Sequence, residues 1–322
     1  MRSSAIGIDI GGTNVKLGLV DERGRVLART EFLTGSAAHR EHFLDILSLH
    51  VRNLIAVAHK EKLKLTGVGV GAPGPIDVEK GFVYFFPNIP GWRNTPLKSI
   101  LEKRLKQPVF VDNDANVMAL AEFRFGAGRG CKNIIALTLG TGVGGGMVID
   151  GKLFHGPHYS AAEIGHLVIQ ENGPLCACGN HGCIEAYVGN GYFVNETRRR
   201  LKLQPKSLLN RWVKKEHRVL TPELVAQAAR KGDVLSKDMW KKTGEHLGTA
   251  LVGLVNILNP ERIIIGGGLA QAGGLLFKPL EAVLKKKAFP IAARSVRVLP
   301  AVLGVDAGLI GAAALSLAQT EN

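Results

Sequence analysis

Apolar and polar residues alternate from Ala5 to Val20, A-I-G-I-D-I-G-G-T-N-V-K-L-G-L-V, and the alternation breaks only at Gly11 and Gly12. A period of two predicts a strand on each side of that break, and so a hairpin with Gly-Gly-Thr at its tip. D-E-R-G makes the next turn, and V-L-A-R-T predicts a third strand. The period then changes. From about His39 to Lys60, Phe43, Leu47, Val51, Leu54, Ile55 and Ala58 recur at helical spacing, and His42, His50 and His59 on this helix are expected to face solvent. G-V-G-V-G-A-P-G-P-I-D (67–77) predicts a buried strand running into a Gly/Pro loop, and F-P-N-I-P-G-W (86–92) a second rigid turn with Trp92 available to pack.

Thr95 to Lys106 predicts a helix with Pro96 in its first turn. A short strand from Pro108 to Val111 then delivers D-N-D-A-N (112–116) to a helix, V-M-A-L-A-E-F-R-F. Ile134 to Ile149 repeats the opening pattern as strand, G-T-G-V-G-G-G, strand. Between Tyr192 and about Gly248 the pattern is helical and charged, with breaks at Pro205 and Pro222. Residues 251–270 predict a buried helix, a turn and a strand ending in Gly266, Gly267 and Gly268; Val296 to Val302 is a further strand. The last element, D-A-G-L-I-G-A-A-A-L-S-L-A (306–318), is a small-residue helix suited to close packing between domains.

At 322 residues the chain is long enough for two domains with their own cores. Asp9 interrupts the N-terminal apolar run before it reaches the length of a signal segment, and no apolar run reaches membrane-spanning length. The expectation is a soluble, cytoplasmic protein with no membrane partner, whose thiols stay reduced. The formal charge is +14, densest between Arg198 and Arg218. An anion-binding face and a solvated helical surface both fit that cluster. The second is favoured and no nucleic-acid partner is expected, because no Arg-rich arm, zinc finger or helix-turn-helix accompanies it.

Three of the four cysteines, Cys176, Cys178 and Cys183, crowd into one loop punctuated by Gly179 and Gly182. The glycines let the backbone turn tightly enough for several thiolates to point at one centre. Three sulfurs leave a tetrahedral zinc one ligand short, and His166 just upstream can complete a Cys₃His site. One disulfide plus a free thiol is the competing reading. It is disfavoured by the poor spacing of Cys176 and Cys178 and by the reducing compartment. Glu163 and Glu185 flank the cluster, so a fixed loop would hold two carboxylates in place.

The two glycine-rich hairpin tips present backbone N–H groups and the hydroxyls of Thr13 and Thr141 where phosphate oxygens can reach them. Asp9, just before the first tip, can hold a hydrated Mg²⁺. Two such hairpins in successive three-strand units mark a duplicated ATPase of the actin/hexokinase type; neither fits the single strand–loop–helix of a P-loop or dinucleotide fold. At the junction after Val111, a carboxylate next to an amide side chain is well placed as a general base, with Asp114 the candidate; the competing reading is an Asp or Asn N-cap with no chemistry. The glycine run 266–268 suits a flat ring against bare backbone, or a simple turn.

The spacing C-x-C-x₄-C with an upstream E-x-G-H closely resembles the signature of the ROK family, the bacterial sugar kinases and sugar-responsive repressors. The order of phosphate hairpin, acidic junction, second hairpin, cysteine loop, glycine run and small-residue helix is similar over nearly the whole chain. The resemblance implies an α/β, two-domain actin/hexokinase-like (ribonuclease H-like) fold with an interdomain cleft. Its small N-terminal domain would comprise 1–115 plus 304–322, and a larger domain, 116–303, would carry the zinc loop. The first phosphate motif begins at Asp9, which leaves no room for the DNA-binding domain of the repressors and so implies a kinase.

By the same resemblance, ATP–Mg²⁺ lies in the cleft, held by Gly11, Gly12, Thr13, Gly140, Thr141 and Gly142. Asp9 positions the metal through water, and Gly266, Gly267 and Gly268 form the adenosine motif. Asn113, Glu163, His166 and Glu185 are similar to residues that bind sugar hydroxyls, as is Asn88 of the N-x-P-G-W loop; His166 also ligates zinc. Asp114 would deprotonate the primary hydroxyl. Glucose is the expected acceptor, because N-x-P-G-W with the paired glutamates resembles glucokinases. Fructose, N-acetylmannosamine, a polyphosphate donor and a non-catalytic sugar sensor are the alternatives. Ala162 stands where relatives often have Gly, and a homodimer or homotetramer is expected.

Overall fold

The computed structural model describes residues 2–36, 39–86 and 92–320. The chain opens with β1 (Ser3–Ile10), β2 (Asn14–Asp21) and β3 (Val26–Leu33), then α1 (Arg40–Lys60) and β4 (Lys64–Ala72). Three short strands, β5 (Ile76–Asp77), β6 (Phe82–Phe85) and β7 (Arg93–Thr95), precede α2 (Leu97–Leu105), β8 (Val109–Asn113) and α3 (Asp114–Phe125). The second hairpin is β9 (Ile134–Leu139) and β10 (Val143–Ile149), followed by β11 (Lys152–Leu153). Then come α4 (Glu185–Val188), α5 (Asn190–Leu201), α6 (Leu208–Lys214), α7 (Pro222–Arg230) and α8 (Val234–Leu258). The chain closes with β12 (Arg262–Gly266), α9 (Gly274–Lys287), α10 (Pro290–Ser295), β13 (Arg297–Pro300) and α11 (Ala307–Leu317).

The first large sheet has the order β3-β2-β1-β4-β8, with β1 and β2 antiparallel and β4 parallel to both β1 and β8. The second has the order β11-β10-β9-β12-β13, again an antiparallel third-second-first run continued by parallel strands. The repeated order is the structural form of the duplication that the two glycine-rich hairpins announce.

Two compact units emerge: Met1–Lys132 with Gly146–Ala162 and Ala301–Asn322, and Asn133–Gly145 with Glu163–Pro300. The first division falls after Lys132 rather than after 115, because α3 packs along α11 and stays with the first sheet.

In the first unit, one face of the sheet is covered by α1 and α2, whose Phe43, Leu44, Leu47, Val51, Leu97 and Leu101 bury against Ile6, Ile8, Leu17 and Val70. The other face takes α11, and the contact is backbone on backbone. A Cβ on Gly7 would overlap the Leu309 carbonyl, and one on Gly69 the Ala312 carbonyl; one on Gly311 would overlap the Val117 carbonyl of α3. The small-residue helix therefore packs closely, as its sequence implies, and the close contacts described are to the sheet and α3 of its own unit.

His50 also departs from expectation. It is half-buried, with Nδ1 2.6 Å from Thr30 Oγ1 and its ring stacked on Phe32 at 5.2 Å, because this face of α1 adjoins β3. His42 and His59 are exposed.

In the second unit, β9, β12 and β13 run parallel and α8 packs on α9. Gly244 and Gly248 let α8 approach the backbone of α9 at Leu276 and Leu280. The C-terminal end of α8 is less buried than its apolar sequence predicts. Leu251 and Val255 are buried, but Ile257 on the opposite face is 80% exposed.

Among the described residues, three cations of the basic segment are ion-paired. Arg199 and Arg200 bind Glu196, Arg200 also binds Asp238, and Arg211 binds Glu216. The Arg199 and Arg200 guanidiniums hold the Glu196 carboxyl down at about 2. No helix among the described residues is long and apolar enough to cross a membrane.

Candidate active site

In the first unit, the tip of the β1–β2 hairpin is fixed by short polar bonds. Gly11 N–H donates to Asn14 O (3.0 Å), Thr34 Oγ1 to Gly11 O (2.7 Å), and Thr34 N–H to Thr13 O (2.8 Å). Gly12 and Thr13 are exposed, so the tip presents backbone and hydroxyl to an incoming anion. Asp9, next to last in β1, sets its carboxylate against Gly308, in the first turn of α11, where any side chain on residue 308 would overlap it. Burial pushes the Asp9 carboxyl up, and Lys16 opposes that shift. The N-terminal end of α11 offers the carboxylate a favourable dipole.

The β8–α3 junction brings Asp112, Asn113 and Asp114 together with different tasks. Asn113 is the N-cap of α3: its Oδ1 accepts from Ala115 N–H (2.9 Å), while its Nδ2 donates to Gly74 O (3.2 Å) in the G-x-P-G-P loop. Asp114 is exposed, and its Oδ1 also accepts from Ala115 N–H at 2.9 Å. Asp112 is fully buried. Its Oδ1 accepts from Asn113 N–H (2.7 Å) and Asn116 Nδ2 (2.9 Å), and its Oδ2 meets His155 Nε2 at 2.7 Å. That bond to Asp112 pushes the His155 imidazole above its usual range. His155 was not among the residues the sequence singles out, since it follows a two-residue strand far along the chain. Trp92 is buried against Phe43 and Phe86, with centroids at 5.1 and 4.6 Å. Asn88 lies outside the described residues.

In the second unit, the β9–β10 tip closes on itself, with Gly140 N–H donating to Gly142 O (3.0 Å). Thr141 is exposed, and Asn190 N–H at the start of α5 donates to Gly140 O (2.9 Å). Glu185 Oε2 accepts Val143 N–H at 2.9 Å, an approach that a side chain on Gly142 would block. Gly267, at φ +90°, passes so close to Leu139 of β9 that a Cβ would overlap its backbone. Gly267 and Gly268 are exposed at the carboxyl ends of parallel strands, where α/β sheets bind ligands.

The cysteine loop assembles the donors its spacing predicts. One donor atom from each of His166, Cys176, Cys178 and Cys183 lies within 4.8 Å of all the others. Cys176 Sγ is 3.8 Å from His166 Nδ1, and Cys178 Sγ is 3.7 Å from Cys183 Sγ. All the cysteines are free. A sulfur pair at that separation is far too long for a disulfide but matches the edge of a tetrahedron with metal–sulfur bonds of about 2.3 Å.

Gly179 (φ +90°) and Gly182 (φ +74°) make the turns, and a side chain on Gly182 would overlap Gln170 O. Burial pushes the Cys176 thiol up to about 12 and the Cys183 thiol up, while the backbone N–H of Asn180 draws Cys178 down. Glu185 reaches this cluster with its other oxygen, Oε1, 3.6 Å from Cys176 Sγ. Glu163 is exposed at the start of a single 3-10 turn (Ile164–His166). Within that turn Gly165 abuts the Val143 carbonyl too closely for any side chain.

The sequence profile of the ROK family matches residues 5–319. The chain is 40% identical to a glucokinase of Halalkalibacterium halodurans, covering 98% of this chain and 96% of that one. It is 38% identical to a glucokinase of Thermotoga maritima, covering 96% of each. Among solved structures it is similar to a ROK family glucokinase from Streptomyces griseus in complex with glucose and AMPPNP. The identity is 36% and the TM-score 0.80, over 97% of this chain and 99% of that one. The two repeated sheets are thus those of the two-domain actin/hexokinase-like fold, and the chain belongs to the ROK family.

Proposed function

We propose that this chain is an ATP-dependent hexose kinase that phosphorylates glucose at its primary hydroxyl. One observation carries the reading: at the β8–α3 junction Asp112 is buried and Asn113 caps α3 through its Oδ1, while the neighbouring Asp114 carboxylate is exposed. The likeness to glucokinases over nearly the full chain supports glucose as the acceptor.

The tip residues Gly11, Gly12, Thr13, Gly140, Thr141 and Gly142 hold the phosphate chain, with the N–H groups of Gly12 and Gly142 and the hydroxyls of Thr13 and Thr141 as donors. Gly266, Gly267 and Gly268 give the adenine a flat wall. Asp9 retains the water shell of the Mg²⁺ that accompanies the nucleotide and neutralises its charge. Asn113, Glu163, His166 and Glu185, with Asn88, orient the sugar hydroxyls, and carboxylates suit this because each accepts from neighbouring hydroxyls. Asp114 takes the proton of the attacking hydroxyl.

His166, Cys176, Cys178 and Cys183 hold a structural zinc, which fixes the loop bearing Glu163 and Glu185. With Nδ1 turned towards the sulfurs, the other ring nitrogen of His166 is left for a sugar hydroxyl. Thiolate ligands suit a reducing, cytoplasmic location. The homodimer or homotetramer that the family resemblance implies is read out by sedimentation.

A panel of hexoses with ATP, assayed by ADP release, tests the reading. Glucose should turn over best, and Asp114→Asn should lower kcat by about 10²–10⁴, the usual contribution of a general base. ADP release from no hexose, or an Asp114→Asn variant as active as the unmodified chain, would overturn it. Polyphosphate in place of ATP tests the donor.

A further inference from the structure

The geometry points to His155 as a positioning residue for phosphoryl transfer, acting through Asp112 on the turn that carries Asn113 and Asp114. It rests on the reading of Asp114 as the base. Asp112 accepts three hydrogen bonds, and their sources divide the work. Two come from its own turn, Asn113 N–H and Asn116 Nδ2. The third comes from His155, 43 residues along the chain. A carboxylate taken wholly out of water is costly unless it is paired and bonded. Among the described residues, His155 is the ion-pair partner of Asp112 whenever its ring is protonated.

His155 is itself held at the backbone. Phe154 N–H donates to Met147 O (2.9 Å), and Ala161 N–H donates to His155 O (3.0 Å). An imidazole on an anchored segment is a stop, not a tether, and fixes where Asp112 sits. Asp112 in turn holds the Asn113 N–H, so the register in which α3 begins is set from outside the helix. Asn113 is then free to cap with its side chain, and Asp114 follows in the first turn.

The groups around the pair are few. Tyr159 stands edge-on to the His155 ring at 6.4 Å, and Asp77 and Glu79 act on Tyr159 rather than on the imidazole. The bond to Asp112 holds His155 protonated to higher pH than an ordinary histidine. A misplacement of about 1 Å in a catalytic group costs on the order of 10²-fold in rate, so a positioning contact has room to act.

The experiment is steady-state kinetics with glucose and ATP on the full chain, comparing His155→Gln, His155→Arg and Asp114→Asn, with circular dichroism and thermal midpoints alongside. His155→Gln should fold and lower kcat at least tenfold, with both KM values within twofold. His155→Arg, which restores a cation able to donate to a carboxylate, should recover most of the loss. An unchanged kcat in His155→Gln would overturn the inference, as would a loss that only follows the unfolded fraction. Should His155→Gln not fold, the Arg variant decides alone: kcat near the unmodified value sustains the inference, and a folded but inactive protein ends it. Asp114→Asn separates the two readings. Full activity there removes the base, whereas an inactive Asp114→Asn beside a fully active His155→Gln removes only the positioning role.

Discussion

Ala162 holds φ at +64°, in the left-handed region where a Cβ crowds the following carbonyl. The family resemblance already marks this position as one where Gly is expected, and the dihedral supplies the physical reason. Ala162→Gly should relieve roughly 1 kcal/mol of backbone strain, less the entropy a glycine adds to the unfolded chain. The expected result is an equal or slightly higher thermal midpoint with kcat retained, read by calorimetry and ADP release. A clear drop in the midpoint would mean the conformation is not strained.

Asp112, Asn113 and Asp114 are neighbours in sequence, but the group that holds Asp112 is not. The Asp-Asn-Asp run at a strand–helix junction was legible, and so was an Asp or Asn cap there, because both are local patterns; that Asn113 is the residue that caps was not. His155 was not legible: its partner is on another strand, and a histidine after K-L-F in an exposed hairpin matches no motif.

At the level of elements, period-two and period-3.6 patterns placed both hairpins, α1, α2, α3 and α11 close to where they lie, since each alternation is tied to a buried face. What the pattern did not supply was the partner of each face. A stripe of small residues on α11 says that something approaches closely. It does not say that the neighbours are Gly7 and Gly69 of the first sheet and the Val117 backbone of α3. For the same reason the apolar end of α8 looked buried, although Ile257 is turned to solvent.

The glycine–helix seam leaves no room for an added carbon. Gly69→Ala places a methyl on the Ala312 carbonyl, which is backbone and cannot rotate away. Overpacking of this kind costs about 1–3 kcal/mol and here should reach the upper end. Chemical denaturation should show the midpoint falling, with the slope unchanged. A neutral substitution would show that α11 can ride up on the sheet.

At the scale of the whole chain, the duplication was readable because two Gly-Thr hairpins recur in one order, and the cysteine loop was readable because its spacing is rare. The link between them was not. Glu185 joins them within the second unit: Oε2 holds Val143 N–H beside the tip of the β9–β10 hairpin, and Oε1 faces Cys176. If an ion anchors the four donors, its removal should therefore be felt at two places rather than one. The loop should lose its grip on Glu163 and Glu185, and the β9–β10 tip should lose the carboxylate behind it.

Purified, reduced protein should contain about one zinc per chain, and either Cys178→Ser or a strong chelator should remove it. The stability lost should be roughly 3–4 kcal/mol, the linkage expected for an ion held several hundred- to a thousandfold above its dissociation constant. Activity should fall with KM raised for ATP as well as for glucose, because Glu185 serves both the loop and the hairpin. A metal-free protein with KM for ATP unchanged would show that the hairpin stands without the loop. If it also turned over glucose normally, the four converging donors would have no part in the reaction.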